Sequence, residues 1–207
     1  MNRPKRNEHN RESILAKGME LFNQQGYHGT GIKEILDACQ VPKGSFYNYF
    51  DSKEQFAVEV LNYHHTQESA KWQHHFATTE GPRLQQIRAM LDSFVEDYKQ
   101  DPDFCGCLLT NLMGEVGNLS ESFRMVIQNS SDEVINCISE DLAIAQQQGD
   151  VRTDMSVAHM ARLFWDSWQG ALLRTKVSGS TQPLLETVDT LFTLFKATDG
   201  TRQENTA

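Results

Sequence analysis

The sequence predicts an all-α fold, with a three-helix helix-turn-helix domain followed by a larger helical domain. Apolar residues recur at helical spacing along almost all of the 207 residues. Breakers such as Gly81-Pro82 and Asp101-Pro102 interrupt these stripes at intervals typical of helix ends. No segment of strand length alternates apolar and polar residues. The pattern therefore indicates helices joined by short turns.

Composition limits the class of protein. Hydrophobic residues make up 39% of the chain, which is enough for one or two packed cores. No apolar run reaches the length of about 18 residues that a membrane span needs. The polar, basic opening segment has no apolar stretch of the kind that a secretion signal contains. We expect a cytoplasmic protein without membrane contact, whose four cysteines are free thiols.

Charge is distributed unevenly. The chain has a net charge of −9, which by itself argues against nucleic acid as a partner. Residues 1–54, however, carry 8 Lys/Arg and 7 Asp/Glu, and the acidic excess lies entirely in the remainder. The N-terminal part can therefore approach phosphates although the whole chain is acidic.

The first three predicted helices follow in close succession. Residues 9–25 carry an apolar stripe that stops at Gly26, a residue suited to the left-handed end of a helix. Residues 31–38 form a short second helix. A tight turn at 39–41 leads into a third helix over 42–49, with a proline at its first position.

The third helix has two chemically different faces. Phe46, Tyr49 and Phe50 share one face at i, i+3 and i+4. The opposite side carries small, polar and cationic residues: Lys43, Gly44, Ser45, Tyr47 and Asn48. An apolar anchor opposite such a surface is typical of a short helix that enters a DNA groove.

Six further helices are predicted, over about 52–77, 82–100, 104–116, 120–148, 154–177 and 182–197. Ser52 and Gln55 have the spacing of a capping box, and Ser120 can cap the seventh helix. The last two helices have more apolar surface than one core contact needs. We expect them to form a dimer interface; deep burial within one subunit is the alternative.

Three stretches in this order, residues 26–35, 41–50 and 52–54, resemble the N-terminal domain of TetR-family repressors. The similarity is nearly gapless and covers about residues 8–68. It implies a homodimer of about nine helices per chain that binds a double-stranded DNA operator. It also implies a DNA-binding domain at 8–68, an effector-binding and dimerisation domain at 69–198, and a tail at 199–207 that we expect to be disordered.

The resemblance also implies which residues contact DNA. Lys43 would approach guanine or phosphate, and Lys53 would contact phosphate. The whole predicted set is Thr30, Lys33, Pro42, Lys43, Gly44, Ser45, Tyr47, Asn48 and Lys53. One departure from the family pattern is Gln40, which stands where a glycine is common and costs free energy if its φ is positive. Leu36 and Cys39 also replace small alanines.

A second resemblance concerns Gly106-Cys107-Leu108 and the residues after it, which look like the TetR subgroup of the N-ethylmaleimide reductase repressor and the acrylate-responsive repressors. It implies that Cys107 senses electrophiles or reactive chlorine. A helix N-terminus favours a thiolate there, and Cys105 could resolve an oxidised thiol. Packing and metal binding remain as alternative interpretations of Cys107.

No metal or cofactor is predicted. Cys105 and Cys107 offer two soft ligands, but no neighbouring cluster completes a four-coordinate site. The four histidines at 64, 65, 74 and 75 lack i, i+4 spacing, so they are interpreted as surface or pocket-edge residues. No base is recognised for Cys107.

The effector pocket can be predicted only from the family resemblance, which implies a cavity among the fourth to eighth helices. The candidates are Trp72, Phe104, Asn111, Glu115, Phe164, Trp165 and Trp168. Core packing is the alternative for each, and the effector is unknown.

The sequence therefore favours a DNA-binding repressor released by an effector or by thiol modification. One alternative is a thiol-dependent enzyme, which the lack of a recognised catalytic constellation disfavours. The other is a helical interaction protein without DNA binding.

Overall fold

The structure, a computed structural model, describes residues 6–100 and 106–197, without the side chains of 6–10, 43 and 45. This part of the chain holds nine helices and no strand, which confirms the all-α prediction. The helices are α1 (Arg6–Gly29), α2 (Ile32–Cys39), α3 (Lys43–Tyr47), α4 (Lys53–Thr78), α5 (Arg83–Gln100), α6 (Leu108–Val116), α7 (Glu121–Gln147), α8 (Val157–Ser178) and α9 (Gln182–Phe195). The predicted tail at 199–207 lies outside the described residues.

The helices form two compact units. The first, here called the head unit, contains the described residues up to 68 and residues 106–130. The second unit contains residues 69–100 and 131–197. The head unit therefore joins α1 to α3 and the first part of α4 with α6, a helix that follows about forty residues later in the chain.

An aromatic cluster fills the core of the head unit. Phe46, Phe50 and Phe56 are fully buried, with ring centroids 4.8 to 5.2 Å apart. Phe22 of α1 lies 5.7 Å from Phe56. A Cβ atom at Gly18 would stand 2.3 Å from Phe56 Cζ, so glycine is what lets α4 approach α1 this closely. This cluster forms the support on which α3 lies.

Helix ends follow the predicted signals with local differences. Gly26 has φ 73° and ψ 175°, but helical structure resumes after this kink and continues to Gly29. The Ser52 hydroxyl accepts from Gln55 N at 3.0 Å, which is the expected half of the capping box. The Gln55 side chain accepts from Asp51 N and not from Ser52 N. The second hydrogen bond of a capping box, from Ser52 N to Gln55, is therefore replaced by one from the preceding residue.

The second unit has its core between α5, α8 and α9. Buried aliphatic residues of α5 and α9 meet a buried aromatic and small-residue face on α8. α8 begins at Val157, three residues later than expected, because Ser156 caps it by accepting from His159 N. Among the described residues, no helix has the length and apolar character of a membrane span.

Candidate nucleic-acid interface and thiol site

Helix α3 presents the face that the sequence predicts. Phe46 and Phe50 are buried beneath it, and Tyr49 is half-buried. On the other side Gly44 and Asn48 are exposed, and 51% of Tyr47 remains accessible. A Cβ at Gly44 would meet no atom within 4 Å, so this position is open to an incoming surface.

The helix is shorter than predicted. Pro42 is its N-cap in an extended conformation (φ −62°, ψ 148°) and not its first helical residue. The predicted contacts of Lys43 and Ser45 involve side chains outside the described part. The five residues of α3 leave room for few direct contacts to base edges.

The turn before α3 depends on Gln40. Its φ of 56° and ψ of 37° are left-handed, and it is the one described non-glycine residue with positive φ. Its N–H donates to Asp37 O at 3.2 Å, and Val41 N donates to Leu36 O at 3.1 Å. The expected cost of a non-glycine residue here, about 1–2 kcal/mol, is therefore present.

Thr30 is a correction to the predicted DNA contacts. Its side chain is only 1% exposed, and its hydroxyl donates to Gly26 O at 2.8 Å and to Leu21 O at 3.3 Å. The hydroxyl thus satisfies carbonyls near the kink in α1 and does not face solvent. Lys33, in contrast, is exposed, and its ammonium lies 2.7 Å from the Asp37 carboxylate. Exposed ion pairs contribute little stability, so the ammonium can exchange Asp37 for a phosphate.

Lys53 is held within the head unit. Its ammonium donates to Tyr27 O at 2.6 Å and lies 4.3 Å from the centre of the Tyr27 ring. Burial lowers the pKa of Lys53, and the nearby Glu115 carboxylate opposes that shift. A phosphate contact by this side chain would have to share the ammonium with the end of α1.

Glu115 of α6 completes this arrangement. Its Oε2 accepts from Tyr27 N at 2.9 Å and from His28 N at 3.3 Å, just after the kink at Gly26. A Cβ at position 26 would stand 2.1 Å from Glu115 Oε1, so the carboxylate needs glycine there. Gly26, Tyr27, His28, Lys53 and Glu115 are here called the α1–α6 clamp. It ties the helix that follows Cys107 to the helix-turn-helix.

Cys107 is the N-cap of α6, and its Sγ lies 3.7 Å from Nε2 of His64 on α4. Burial raises the pKa of the Cys107 thiol, although hydrogen bonds from the Leu109 and Thr110 amides and the Thr110 hydroxyl act in the opposite direction. His64 corrects two expectations: it is a buried residue, and its imidazole lies beside Cys107, where no base was recognised from the sequence. Cys105 lies outside the described residues.

The comparisons with known proteins agree over most of the chain. Residues 14–60 match the family described as bacterial regulatory proteins, tetR family, and residues 83–191 match the tetracyclin repressor-like C-terminal domain. The transcriptional repressor NemR of Escherichia coli K12 is 33% identical over 181 residues, covering 87% of this chain and 91% of NemR.

The chain belongs to the TetR family.

Other relatives support this assignment. The repressor DhaR of a Mycobacterium species (strain GP1) is 28% identical over 196 residues, which are 94% of this chain and 97% of DhaR. The crystal structure of the reduced form of E. coli NemR superposes with a TM-score of 0.84, at 31% identity, over 92% of this chain and 98% of that one. This TetR-family chain is therefore a helix-turn-helix regulator.

The residues predicted for the effector pocket of this TetR-family chain belong to different units. Trp72, Phe164, Trp165 and Trp168 are in the second unit. Asn111 and Glu115 are in the head unit, where Asn111 Nδ2 donates to Asn23 Oδ1 at 3.0 Å and Glu115 holds the clamp. Phe104 lies outside the described residues.

Trp72 has a partner that the sequence did not reveal. Its indole N–H donates to Asp141 Oδ2 at 2.9 Å, and Arg83 lies 3.6 Å from the other carboxylate oxygen. Burial raises the pKa of Asp141, while Trp72 and Arg83 act against the shift. Asp141 is one of many acidic residues on a long helix, so no sequence signal distinguishes it.

In the ranges that the structure describes, no group of three or more His, Cys, Asp or Glu side chains is placed so that it could hold a metal ion. Sequence reasoning missed His64 and the clamping position of Glu115. The spacing of the histidines along α4 carried no signal, because the partner of His64 lies 43 residues away on another helix.

Proposed function

We propose that this TetR-family chain is a homodimeric transcriptional repressor that binds a palindromic operator and leaves it when an effector binds or Cys107 is modified. The observation that carries the proposal is the orientation of α3. Its aromatic face is anchored in the head unit, while Gly44, Tyr47 and Asn48 face outward. The relatives NemR and DhaR are both named as transcriptional repressors, which supports repression and not activation.

DNA contact follows from the chemistry of the exposed face. Gly44 lets the backbone of α3 approach a groove closely, and Tyr47 and Asn48 can donate to phosphates or base edges. Lys33 and Lys53 supply cations at the flanking backbone. From the sequence, Lys43 and Ser45 belong to the same interface, and Pro42 sets the start of the helix.

A second copy of the chain completes the operator contact, because one five-residue helix reaches few bases. The proposed dimer interface is formed by α8 and α9. On α8, Leu163 and Val177 stand fourteen residues apart on one face with Gly170 midway, and Val177 is 90% exposed. Leu173 and Leu194 add further exposed apolar surface. Burying such a patch is the usual way in which a folded chain gains a partner copy.

Release is proposed to act through α6. Cys107 lies at the first end of this helix and Glu115 lies in its last turn. A group added at Cys107 favours a displaced α6, which weakens the clamp on Tyr27 and His28 and so moves the helix-turn-helix. The modification must stabilise one of the two arrangements more than the other for this to work. The solved NemR structure is described as a reduced form, which supports a thiol whose state matters.

The proposed DNA binding is tested by gel shift with the DNA fragment upstream of the chain's own coding sequence, at low salt and under reducing conditions. We expect wild type to shift the fragment. Gly44→Ala should fold at least as well, because alanine is the better helix former by about 1 kcal/mol. Its affinity should fall about tenfold, because the added methyl group stands between the backbone and the groove. No shift by the wild type on any upstream fragment would overturn the proposal.

The release arm uses the same fragment with N-ethylmaleimide. We expect wild type to lose the fragment and Cys107→Ser to keep it. Cys137→Ser is the matched control and should respond as wild type does. Release of Cys107→Ser at the wild-type reagent concentration would exclude Cys107 as the sensor while leaving the DNA-binding arm intact.

A further inference from the structure

The imidazole of His64 occupies a place on α4 where packing alone would favour an aliphatic residue. It follows Ala57, Val60 and Leu61 on the buried face of the helix and is only 8% exposed. A ring with two polar nitrogens costs free energy at such a position unless those nitrogens are used. Its Nε2 lies 3.7 Å from the Cys107 sulfur.

A base beside Cys107 would speed its reaction with electrophiles. Burial raises the pKa of its thiol, and the Glu68 carboxylate also disfavours a negative sulfur. The thiolate is the nucleophile, so a protonated thiol reacts slowly with electrophiles. The N–H groups of Leu109 and Thr110 at the start of α6 can stabilise the thiolate once it forms, but they cannot remove the proton.

We propose that His64 is the general base that activates Cys107 toward electrophilic alkenes conjugated to a carbonyl group; the inference rests on the proposed thiol-sensing function. His64 Nε2 takes the proton from Cys107 Sγ as the sulfur attacks the β-carbon of the alkene. The C–S bond forms, and the π electrons of the C=C bond move to the α-carbon as an enolate. The imidazolium then returns the proton to the α-carbon, which leaves a thioether and a neutral histidine.

This arrangement makes the sensor selective. Without a reagent in place, the proton stays on sulfur and the thiol is protected from indiscriminate reaction. An electrophile that reaches Cys107 meets a nucleophile whose proton has an acceptor within hydrogen-bond range. A nucleophile beside an oriented base is the arrangement that covalent catalysis uses.

The test measures alkylation of Cys107 by N-ethylmaleimide in the full chain without DNA, in a Cys105→Ser background so that the fragment analysed by mass spectrometry has one thiol. Rates are compared between His64 and His64→Gln from pH 6 to pH 9. Alkylation of Cys137 in the same samples is the internal reference.

We expect His64→Gln to lower the pH 7 rate at Cys107 at least about tenfold relative to Cys137. The wild-type rate should level off at a lower pH than that at which the thiol itself ionises, whereas the variant's rate should keep rising with the ionisation of the thiol. Equal normalised rates across the whole pH range would overturn the proposal. If His64→Gln does not fold, the wild-type profile decides alone: an inflection at lower pH than the ionisation of the thiol supports the base, and a single inflection from the thiol excludes it.

The outcome is separable from that of the proposed function, because the rate is measured in the absence of operator. Fast, His64-dependent alkylation that leaves DNA binding unchanged would support His64 as the base and refute Cys107 as the residue that controls DNA release. If N-ethylmaleimide releases the DNA but Cys107 is alkylated at equal rates in wild type and His64→Gln, the sensing role of Cys107 is supported and His64 is refuted as its base.

Discussion

Helices α3 and α6 both belong to the head unit, and they use their side chains in opposite ways. α3 buries Phe46 and leaves Gly44 and Tyr47 outside. α6 buries most of its apolar residues and directs its polar groups to internal partners, Asn111 to Asn23 and Glu115 to the end of α1. Helix α3 therefore offers a surface for binding, and helix α6 holds α1 in position.

We therefore expect changes on α3 to alter the affinity for DNA, and changes on α6 to alter how DNA binding is regulated. The outward-facing side chain of Tyr47 on α3 holds no other described helix in place, so changing it should alter DNA binding and leave folding intact. A polar residue on α6 does hold another helix, so changing it should alter both the stability of the head unit and its response. The following variants test that division, starting with the largest effect.

Phe46→Ala should cost about 3–5 kcal/mol of unfolding free energy, because it removes a fully buried ring from the aromatic cluster. Operator binding is lost together with the fold. Tyr47→Ala, the neighbouring exposed aromatic, is the matched variant. It should stay within about 0.5 kcal/mol of wild type and still bind DNA less tightly. Urea unfolding with parallel gel shifts distinguishes the two; similar destabilisation by both would contradict the two-faced helix.

Glu115→Gln should lower the unfolding free energy by about 1 kcal/mol, because the amide oxygen can still accept from Tyr27 N and His28 N but these hydrogen bonds lose the charge that strengthens them. At equal alkylation of Cys107, the variant should also lose less operator affinity than wild type does. Glu12→Gln, an exposed change on α1, is the control. Thermal unfolding and fluorescence anisotropy provide both readouts, and a Glu115→Gln protein that behaves like the control would remove the clamp from the mechanism.

Lys53→Ala distinguishes the two uses of this side chain. If the ammonium binds a phosphate, the slope of log K against log salt becomes shallower by about 0.9 for each phosphate that the protein no longer neutralises. If it only holds Tyr27 O, the slope matches wild type and stability falls by about 1 kcal/mol. Lys33→Ala is the comparison for an exposed lysine. Anisotropy titrations between about 50 and 200 mM salt resolve the difference.

Gln40→Gly should give the smallest effect, a gain of up to about 1 kcal/mol, since glycine removes the left-handed strain but adds freedom to the unfolded chain. Gln40→Ala keeps the strain and should give no gain. Thermal unfolding of the pair provides the measurement. A gain for alanine as large as that for glycine would mean that strain at φ 56° is not what limits the turn.

Much of the fold was predictable because it depends on local signals. The apolar stripes, Gly26 and the caps at Ser52 and Ser120 placed the helices to within a few residues. The family pattern marked position 40 as one where a positive φ would be costly, and the structure gives Gln40 a φ of 56°. The exposed face of α3 followed from the i, i+3, i+4 spacing of its aromatics.

The remaining features depend on contacts between distant parts of the chain. Spacing along α4 could not reveal that His64 faces Cys107, and the composition of α6 could not reveal that Glu115 holds Tyr27. Thr30 has the residue type of a DNA contact, yet its hydroxyl is needed by carbonyls of α1. The partners of His64 and Glu115 required tertiary structure, because no single helix contains both members of either pair.

The discontinuous head unit has a consequence for building hybrid regulators. A hybrid joined at residue 68 would take α1 to α3 from one parent and position 115 from the other. If the second parent lacks an acidic residue at 115, two amides after the kink lose their acceptor, and if the first lacks glycine at 26, a carboxylate and a methyl group collide. A graft that carries residues 106–130 with the head keeps Gly26 and Glu115 together. The transferable part of this regulator is therefore two segments of sequence and not one.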